Sequence, residues 1–346
     1  MEISTIIKLF ILATLSFGIA FIMTPVLTRF LYRFKMGKQI RDSATAPTVS
    51  RMHKAKSGTP TMGGILVWLT TFILAIVFFY GSKFFGWESF KYLNFLSRPQ
   101  TLLPLGALVA SALVGLVDDW FNVKKIGPAG GGLAIRHRLI IYTLIAIVGA
   151  WWFYYKLEWD LIHVPFLGNF NIGPWYIPLF IFIIVATSFS VNETDGLDGL
   201  AGGTLLAAFS AYAAISLVEG RTDLAAFCVV ISGALLAFLW FNINPARFFM
   251  GDTGAMSLGV TLGVIAMLTN TVFLLPLIGF VFVFESISVI IQVASKKIRK
   301  KKVFRAAPIH HHFEAIGWSE PKIVMRFWII SAVTTVLGLI LFLVDK

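Results

Sequence analysis

The chain has 346 residues, of which 58% are hydrophobic and only 13% charged, with a mean hydropathy of +0.83. Soluble domains carry about 25% charged residues, so these values exclude an ordinary soluble protein and point to an all-α, polytopic membrane protein in one domain, residues 1–346. The formal net charge of +12 would suit a nucleic-acid partner, but the basic residues gather in loops between apolar stretches. There they read as a topology signal beside a lipid bilayer, and no nucleic acid is expected.

Ten apolar stretches reach the roughly 17–25 residues that a membrane crossing needs. In chain order they lie near 3–28, 60–80, 100–118, 138–155, 174–191, 200–218, 223–241, 254–270, 272–295 and 326–344. The first has no Lys or Arg ahead of it apart from Lys8 and no small-residue cleavage site, so it reads as a retained helix and not a removed signal peptide. The fifth is bounded by Pro174, and the eighth and ninth nearly touch at Thr269-Asn270-Thr271. Cys228, the single cysteine, sits among apolar neighbours in the seventh stretch. It excludes an internal disulfide and reads as packing.

Basic residues then set the orientation. Residues 29–56 carry Arg29, Arg33, Lys35, Lys38, Arg41, Arg51, Lys54 and Lys56, and residues 119–138 carry Lys124, Lys125, Arg136 and Arg138. Arg247 follows the seventh stretch, and residues 296–326 carry Lys296, Lys297, Arg299, Lys300, Lys301, Lys302, Arg305, Lys322 and Arg326. Ten crossings place all of these on one side, which the positive-inside rule makes the cytoplasm, with both termini outside. Trp87, Trp151, Trp152, Trp159, Trp175, Trp240 and Trp328 fall near stretch ends, as an interfacial belt would. The long polar segments 35–59 and 296–325 are cytoplasmic, and segments of that length are often functional.

Every unusual polar cluster falls on that same side. Asp118 and Asp119 close the third stretch, Asn192, Glu193, Asp195 and Asp198 follow the fifth, Asn242, Asn244 and Asp252 lie between the seventh and eighth, and His310, His311 and His312 precede the tenth. Ionisable groups at membrane depth are costly and mark a functional site. Carboxylates with Asn carbonyls form an oxygen-rich set suited to Mg²⁺ or Mn²⁺. Side chains at 118 and 119 diverge by about 100° on a helix, so one faces the reacting centre while the other supports a neighbouring basic group. Three consecutive His cannot easily reach one zinc ion; imidazole N–H donors to phosphate oxygens fit them better. Mg²⁺ with Lys and His at a membrane face is the equipment of phosphoryl transfer. A transporter is the rival class, but its site is expected near the midplane within paired repeats, and no repeat is visible here.

The pair Asp118-Asp119, the run Asn192 to Asp198, the block Asn242 to Gly254 and the late His cluster resemble the polyprenyl-phosphate N-acetylhexosamine-1-phosphate transferases. Pro308 to Glu314, Gly317 to Pro321 and Gly58 to Gly64 are similar to the branch of that family acting on the muramoyl-pentapeptide donor. The resemblance implies a Mg²⁺-dependent enzyme of the bacterial cytoplasmic membrane, joining UDP-N-acetylmuramoyl-pentapeptide to undecaprenyl phosphate with release of UMP. A relative using UDP-N-acetylglucosamine is the alternative, and a homodimer is admitted but not required. The resemblance also implies that Asp252 binds the metal and that Asp118 acts on the lipid phosphate, with Asp119 as its structural neighbour. Asp195, Gly196, Leu197, Asp198, Asn242 and Phe249 would form the uridine pocket, with Phe249 under the base. Lys56, with Thr59 and Asn192 in the substrate-binding set, would meet substrate phosphate, and His310, His311 and His312 would lie at the sugar-phosphate end. Two positions depart from the family pattern: Glu193 where an apolar residue is usual, and Asn122 where a Lys is usual, with Lys124 or Lys125 nearest to replace it.

Overall fold

A segment without water around it must satisfy its N–H and C=O groups internally, which drives long apolar stretches into helices. The computed structural model, which describes residues 3–37, 56, 58–96, 99–127 and 131–346, is built in that way. It carries α1 (Ile3–Arg33), α2 (Ile65–Phe84), α3 (Glu88–Leu93), α4 (Pro99–Val123) and α5 (Ile135–Trp151). A hairpin, β1 (Leu161–Val164) and β2 (Gly168–Asn171), precedes α6 (Tyr176–Thr194), α7 (Leu200–Val218), α8 (Thr222–Asn242) and α9 (Gly251–Leu268). The chain closes with α10 (Leu275–Ile278), α11 (Phe280–Arg299), α12 (Ile309–Ala315) and α13 (Glu320–Asp345).

Among the described residues, nine helices are long and apolar enough to cross a membrane. The expected ninth stretch, 272–295, is not one of them. It is broken at Gly279 into α10 and α11, and α11 turns a polar stripe of Glu285, Ser288, Gln292 and Ser295 inward while its apolar residues face out. It still traverses the bundle. One end is fixed by Lys8 beside Asp223 (3.5 Å), Lys346 Nζ donating to Val218 O (3.0 Å) and His163 beside Asp345 (2.5 Å). Ile3 and Asp345 thus share that end, the number of traversals is even, and α10–α11 supplies the tenth.

The other end gathers Asp118, Thr194, Gly251 and Glu320, together with the basic residues that follow α4 and α11. Lys38, Arg41, Arg51 and Lys54 lie outside the described residues. The hairpin is a small addition to an otherwise helical fold, as expected of an all-α membrane protein. Residues 165–167 turn the chain between Val164 and its partner Gly168, and the positive φ of Gly168 (92°) suits a residue without a Cβ. Asn270 Oδ1 accepts from His163 N–H at 3.0 Å and pins the hairpin to the loop after α9.

Helix α9 is the axis of the bundle. Every residue of it except Asp252 is buried, as expected for a helix that is apolar or small on all sides. Glycines let neighbouring backbones close on it: a Cβ on Gly115 of α4 would stand 2.4 Å from Asp252 O, and one on Gly259 would stand 2.8 Å from Ser188 Cα of α6. Such small-residue contacts are how helices pack without a hydrophobic driving force between them. Around this axis, α1, α5 and α13 keep broad apolar faces exposed, and Cys228 is buried.

Gly115→Ala is therefore expected to push α4 off α9 at a cost of about 1–3 kcal/mol, the range for overpacking. Gly106→Ala, in the same helix with nothing within 4 Å of its Cβ, serves as the control. Thermal unfolding in detergent should show a lower midpoint for the first and an unchanged one for the second.

Candidate active site

The N-terminus of α9 points into the acidic cluster, and its unsatisfied N–H groups and positive dipole end attract carboxylates. Asp119 Oδ2 accepts from Thr253 N–H at 3.0 Å, and Asp119 Oδ1 accepts from Thr61 Oγ1 at 3.0 Å. Gly251 N–H donates to Asp195 Oδ2 at 3.2 Å. Gly251 has φ 74°, and a Cβ there would lie 2.5 Å from Asp119 Oδ2, so only glycine opens this helix without strain.

Asp118 and Asp252 converge on one cation, Arg138 in the first turn of α5. Its Nε lies 2.7 Å from Asp118 Oδ2, its Nη2 3.0 Å from Asp252 Oδ2, and its Nη1 donates to Asn192 Oδ1 at 3.1 Å. Asn192 Nδ2 donates in turn to Asp252 Oδ1 at 2.5 Å, and Leu133 N–H donates to Asp118 Oδ1 at 2.6 Å. The divergence expected of Asp118 and Asp119 is present. Asp118 takes the basic partner, while Asp119 holds the start of α9. The expected cation after the pair is corrected: Lys124 lies over the Trp120 ring at 5.0 Å, Asn122 Nδ2 donates to Gly131 O, and the base beside the carboxylates is Arg138.

A second network lies beyond the α6–α7 turn. Asp198, nearly fully buried, accepts from Lys56 Nζ at 2.6 Å, from Asn244 Nδ2 at 3.0 Å and from Ala246 N–H at 3.1 Å. Glu320, in the first turn of α13, accepts from Asp198 N–H at 2.6 Å, from Asn244 Nδ2 at 3.1 Å and from Lys56 Nζ. Lys56, expected to meet substrate phosphate, is thus already held between two carboxylates, 5.8 Å from the centre of the Phe249 ring. Phe249 is half-buried, and its N–H donates to Pro60 O at 2.8 Å, while Thr59 N–H donates to Lys56 O. Asn242 spans the turn, accepting from Gly199 N–H at 2.9 Å and donating to Phe248 O at 2.8 Å.

Two expected site residues turn inward. Leu197 packs with Leu200, Val281, Ile309 and Phe327, so its side chain belongs to a small core. His310 is fully buried with its ring against Gly196, whose Cβ, if present, would lie 2.2 Å from Nε2. The three histidines diverge. His310 Nδ1 lies 2.9 Å from Glu285 Oε2, His311 Nδ1 lies 2.6 Å from Glu314 Oε2, and His312 Nδ1 accepts from Arg305 N–H.

Among the described residues, no group of three or more His, Cys, Asp or Glu side chains is arranged to hold a metal by itself. Two carboxylates drawn onto one cation nonetheless fit Mg²⁺, which keeps several waters and commonly takes one or two carboxylates plus substrate phosphates. Sequence reasoning does not reach Arg138 or Glu320 as site residues. Arg138 reads there as one more loop charge, and Glu320 only as part of the Gly317 to Pro321 stretch that carries the resemblance.

Arg138→Met would leave Asp118 and Asp252 facing each other without their cation. Removing one partner of a buried ion pair costs about 3–5 kcal/mol, so the thermal midpoint should fall, and Asp118→Asn in the same chain should restore part of it. No recovery in the double variant would mean that the two carboxylates are not held apart by Arg138.

The pattern of glycosyl transferase family 4 matches residues 101–270, and a phospho-N-acetylmuramoyl-pentapeptide-transferase signature matches residues 56–66. The chain is 41% identical over 342 residues to a phospho-N-acetylmuramoyl-pentapeptide-transferase of Chloroflexus aurantiacus, covering 94% of this chain and 88% of the relative. Proteins of the same description from Geobacillus sp. strain WCH70 and Bacillus subtilis are 40% and 38% identical, each over 94% of this chain and 95% of their own.

Proposed function

The chain belongs to the phospho-N-acetylmuramoyl-pentapeptide-transferases, membrane enzymes of bacterial peptidoglycan synthesis, and from that premise we propose how its acidic cluster serves the transfer. The donor is UDP-N-acetylmuramoyl-pentapeptide and the acceptor undecaprenyl phosphate; the products are the lipid-linked diphosphate sugar and UMP. The observation that supports this reading best is the convergence of Asp118, Asp252 and Asn192 on Arg138 beside the N-terminus of α9. Mobile negative charge, such as a diphosphate, is stabilised where a helix N-terminus and a fixed guanidinium meet.

Asp252, with Asp118 beside it, would hold Mg²⁺, which when bound neutralises the diphosphate and polarises the phosphorus under attack. Arg138 keeps the two carboxylates together and remains as a donor to phosphate oxygens. The Asp195–Asp198 turn, Asn242, Phe249 and Lys56 form the nucleotide side, and Lys56 leaves Glu320 to meet the donor.

Attack is direct, by the lipid phosphate on the sugar-linked phosphorus. A phosphate monoester has a second pKa of about 6 and is mostly dianionic at pH 7, so it needs little activation. Both oxygens of Asp118 are engaged, one by Leu133 N–H and one by Arg138, which favours an orienting or proton-accepting role over covalent attack. General-base help is worth about 10²–10⁴-fold, and Asp118→Asn should lose activity in that range.

Purified chain in detergent with Mg²⁺ and undecaprenyl phosphate should release UMP from the muramoyl-pentapeptide donor and not from UDP-N-acetylglucosamine. Lipid-free chain should not exchange labelled UMP into the donor. Exchange at the rate of turnover, abolished by Asp118→Asn, would make Asp118 a covalent nucleophile.

A further inference from the structure

Helix α11 buries its polar face and exposes its apolar one. Three residues of that face tie the connection 300–308 and α6 to α11. Gln292 accepts from Val303 and Phe304 N–H at 3.0 Å each and donates to Phe304 O at 2.8 Å, Ser295 donates to Lys301 O at 2.9 Å, and Ser286 donates to Ser190 Oγ at 2.7 Å. Glu285 differs in being ionisable and fully buried, and its Oε2 lies 2.9 Å from Nδ1 of His310. Its Oε1 and both ring nitrogens of His310 lack a hydrogen bond of good geometry, so the close approach of Nδ1 and Oε2 is that of a charge pair.

Burying a carboxylate costs several kcal/mol even after relaxation. A glutamine would fill the same space beside the ring without that cost, so packing alone does not account for an acid here. What the carboxylate adds is charge. It fixes the proton on Nδ1, and with a second proton on Nε2 the pair becomes imidazolium and carboxylate, each compensating the other. Nε2 then presents its N–H at Gly196, in the turn that carries Asp195 and Asp198.

We propose that Glu285 is a positioning residue that keeps His310 protonated under the Asp195–Asp198 turn, supplying buried positive charge to the side of the site that receives the nucleotide donor. Glu285 itself touches no substrate. The groups that face His310 agree with this assignment: Glu285 from α11, Glu314 from its own helix and Glu193 from α6 are acids, and the adjacent ring is His311, itself paired with Glu314. Burial opposes the charge on His310, but these acids outweigh it and hold the imidazole above its usual range. Glu193, which departs from the family pattern, gains a use as one of the acids that favour the imidazolium.

The inference rests on the enzymatic reading, and its test separates the two. In Glu285→Gln, burial remains and the carboxylate is gone, so His310 should lose its proton at or below its ordinary value of about 6.5. A folded-state value lowered in this way predicts that the variant keeps its charge at low pH and loses it as pH rises. Donor kcat/KM of wild type and variant should agree within about threefold at pH 5.5 and differ by about tenfold or more at pH 8, mainly in KM for the UDP-sugar. A ratio that stays constant across pH would reduce Glu285 to packing and overturn the proposal.

Should the variant not fold, ¹⁵N-histidine NMR of the wild-type chain decides the matter. The chain has only 6 His, and His310 should give the imidazolium pattern, with both ring nitrogens protonated, at pH 7.5. A neutral ring there would overturn it. Wild-type chain that released no UMP from the donor would instead count against the functional reading, while the NMR result would still judge the charge on His310.

Discussion

Two carboxylates on different membrane helices, Asp118 and Asp252, share one guanidinium, and the rest of the site follows from that constraint. Neither acid is stable alone out of water, and together they repel, so Arg138 must lie between them. This fixes the start of α5 against the end of α4 and the start of α9. Close backbone contact is then required, and Gly115 and Gly251 supply it by leaving no Cβ where Asp252 O and Asp119 would be struck. The same geometry underlies the proposal of a metal here, since two carboxylates beside a guanidinium are the groups a hard cation and a phosphate would meet.

The site has two halves with separate wiring. One half gathers Asp118, Asn192 and Asp252 on Arg138, and the other gathers Lys56 and Asn244 on Asp198 and Glu320; under the proposed function the first would meet the reacting phosphorus and the second the nucleotide. They meet at Asp195, which accepts from Gly251 N–H. Coupling is mechanical as well as electrostatic. Trp328 of α13 donates to Gly199 O at 3.1 Å and Glu320 accepts from Asp198 N–H, so the last helix braces the nucleotide turn from outside the acidic cluster.

Much of this was legible in the sequence, for reasons that also set the limits. Nine spans declare themselves because a membrane helix must be long and apolar, whatever its neighbours. The stretch 272–295 is the least typical crossing, broken at Gly279 and with Glu285 and Gln292 facing in while its apolar residues face outward in α11, a division that average hydropathy does not register. The hairpin at 161–171 has too few residues for a period-two signal to stand out. Asp118, Asp252 and Asp198 are visible because acids at span ends are rare, and Asn192 because it shares a run with Asp198. Arg138 is not, since a base there already has a sufficient explanation in topology. Glu320 stood in a stretch marked only by resemblance, and the fold brings it to Lys56 and Asp198. Glu285 had a usable signal, a charge inside an apolar run. Lys56 and Leu197 show the opposite limit: the right segment is found, but which way each side chain turns is decided by partners far away in sequence.

The central claim, that the cation site lies between Asp118 and Asp252 at the start of α9, is best tested with Mn²⁺, which shares the oxygen preference of Mg²⁺ and is visible by electron paramagnetic resonance. Titration of the detergent-solubilised chain with Mn²⁺ in the presence of the UDP-linked donor should show saturable binding in wild type and its loss in Asp252→Asn, with Asp195→Asn retaining it. Undiminished binding in Asp252→Asn together with loss in Asp195→Asn would place the metal at the nucleotide turn and contradict the arrangement described.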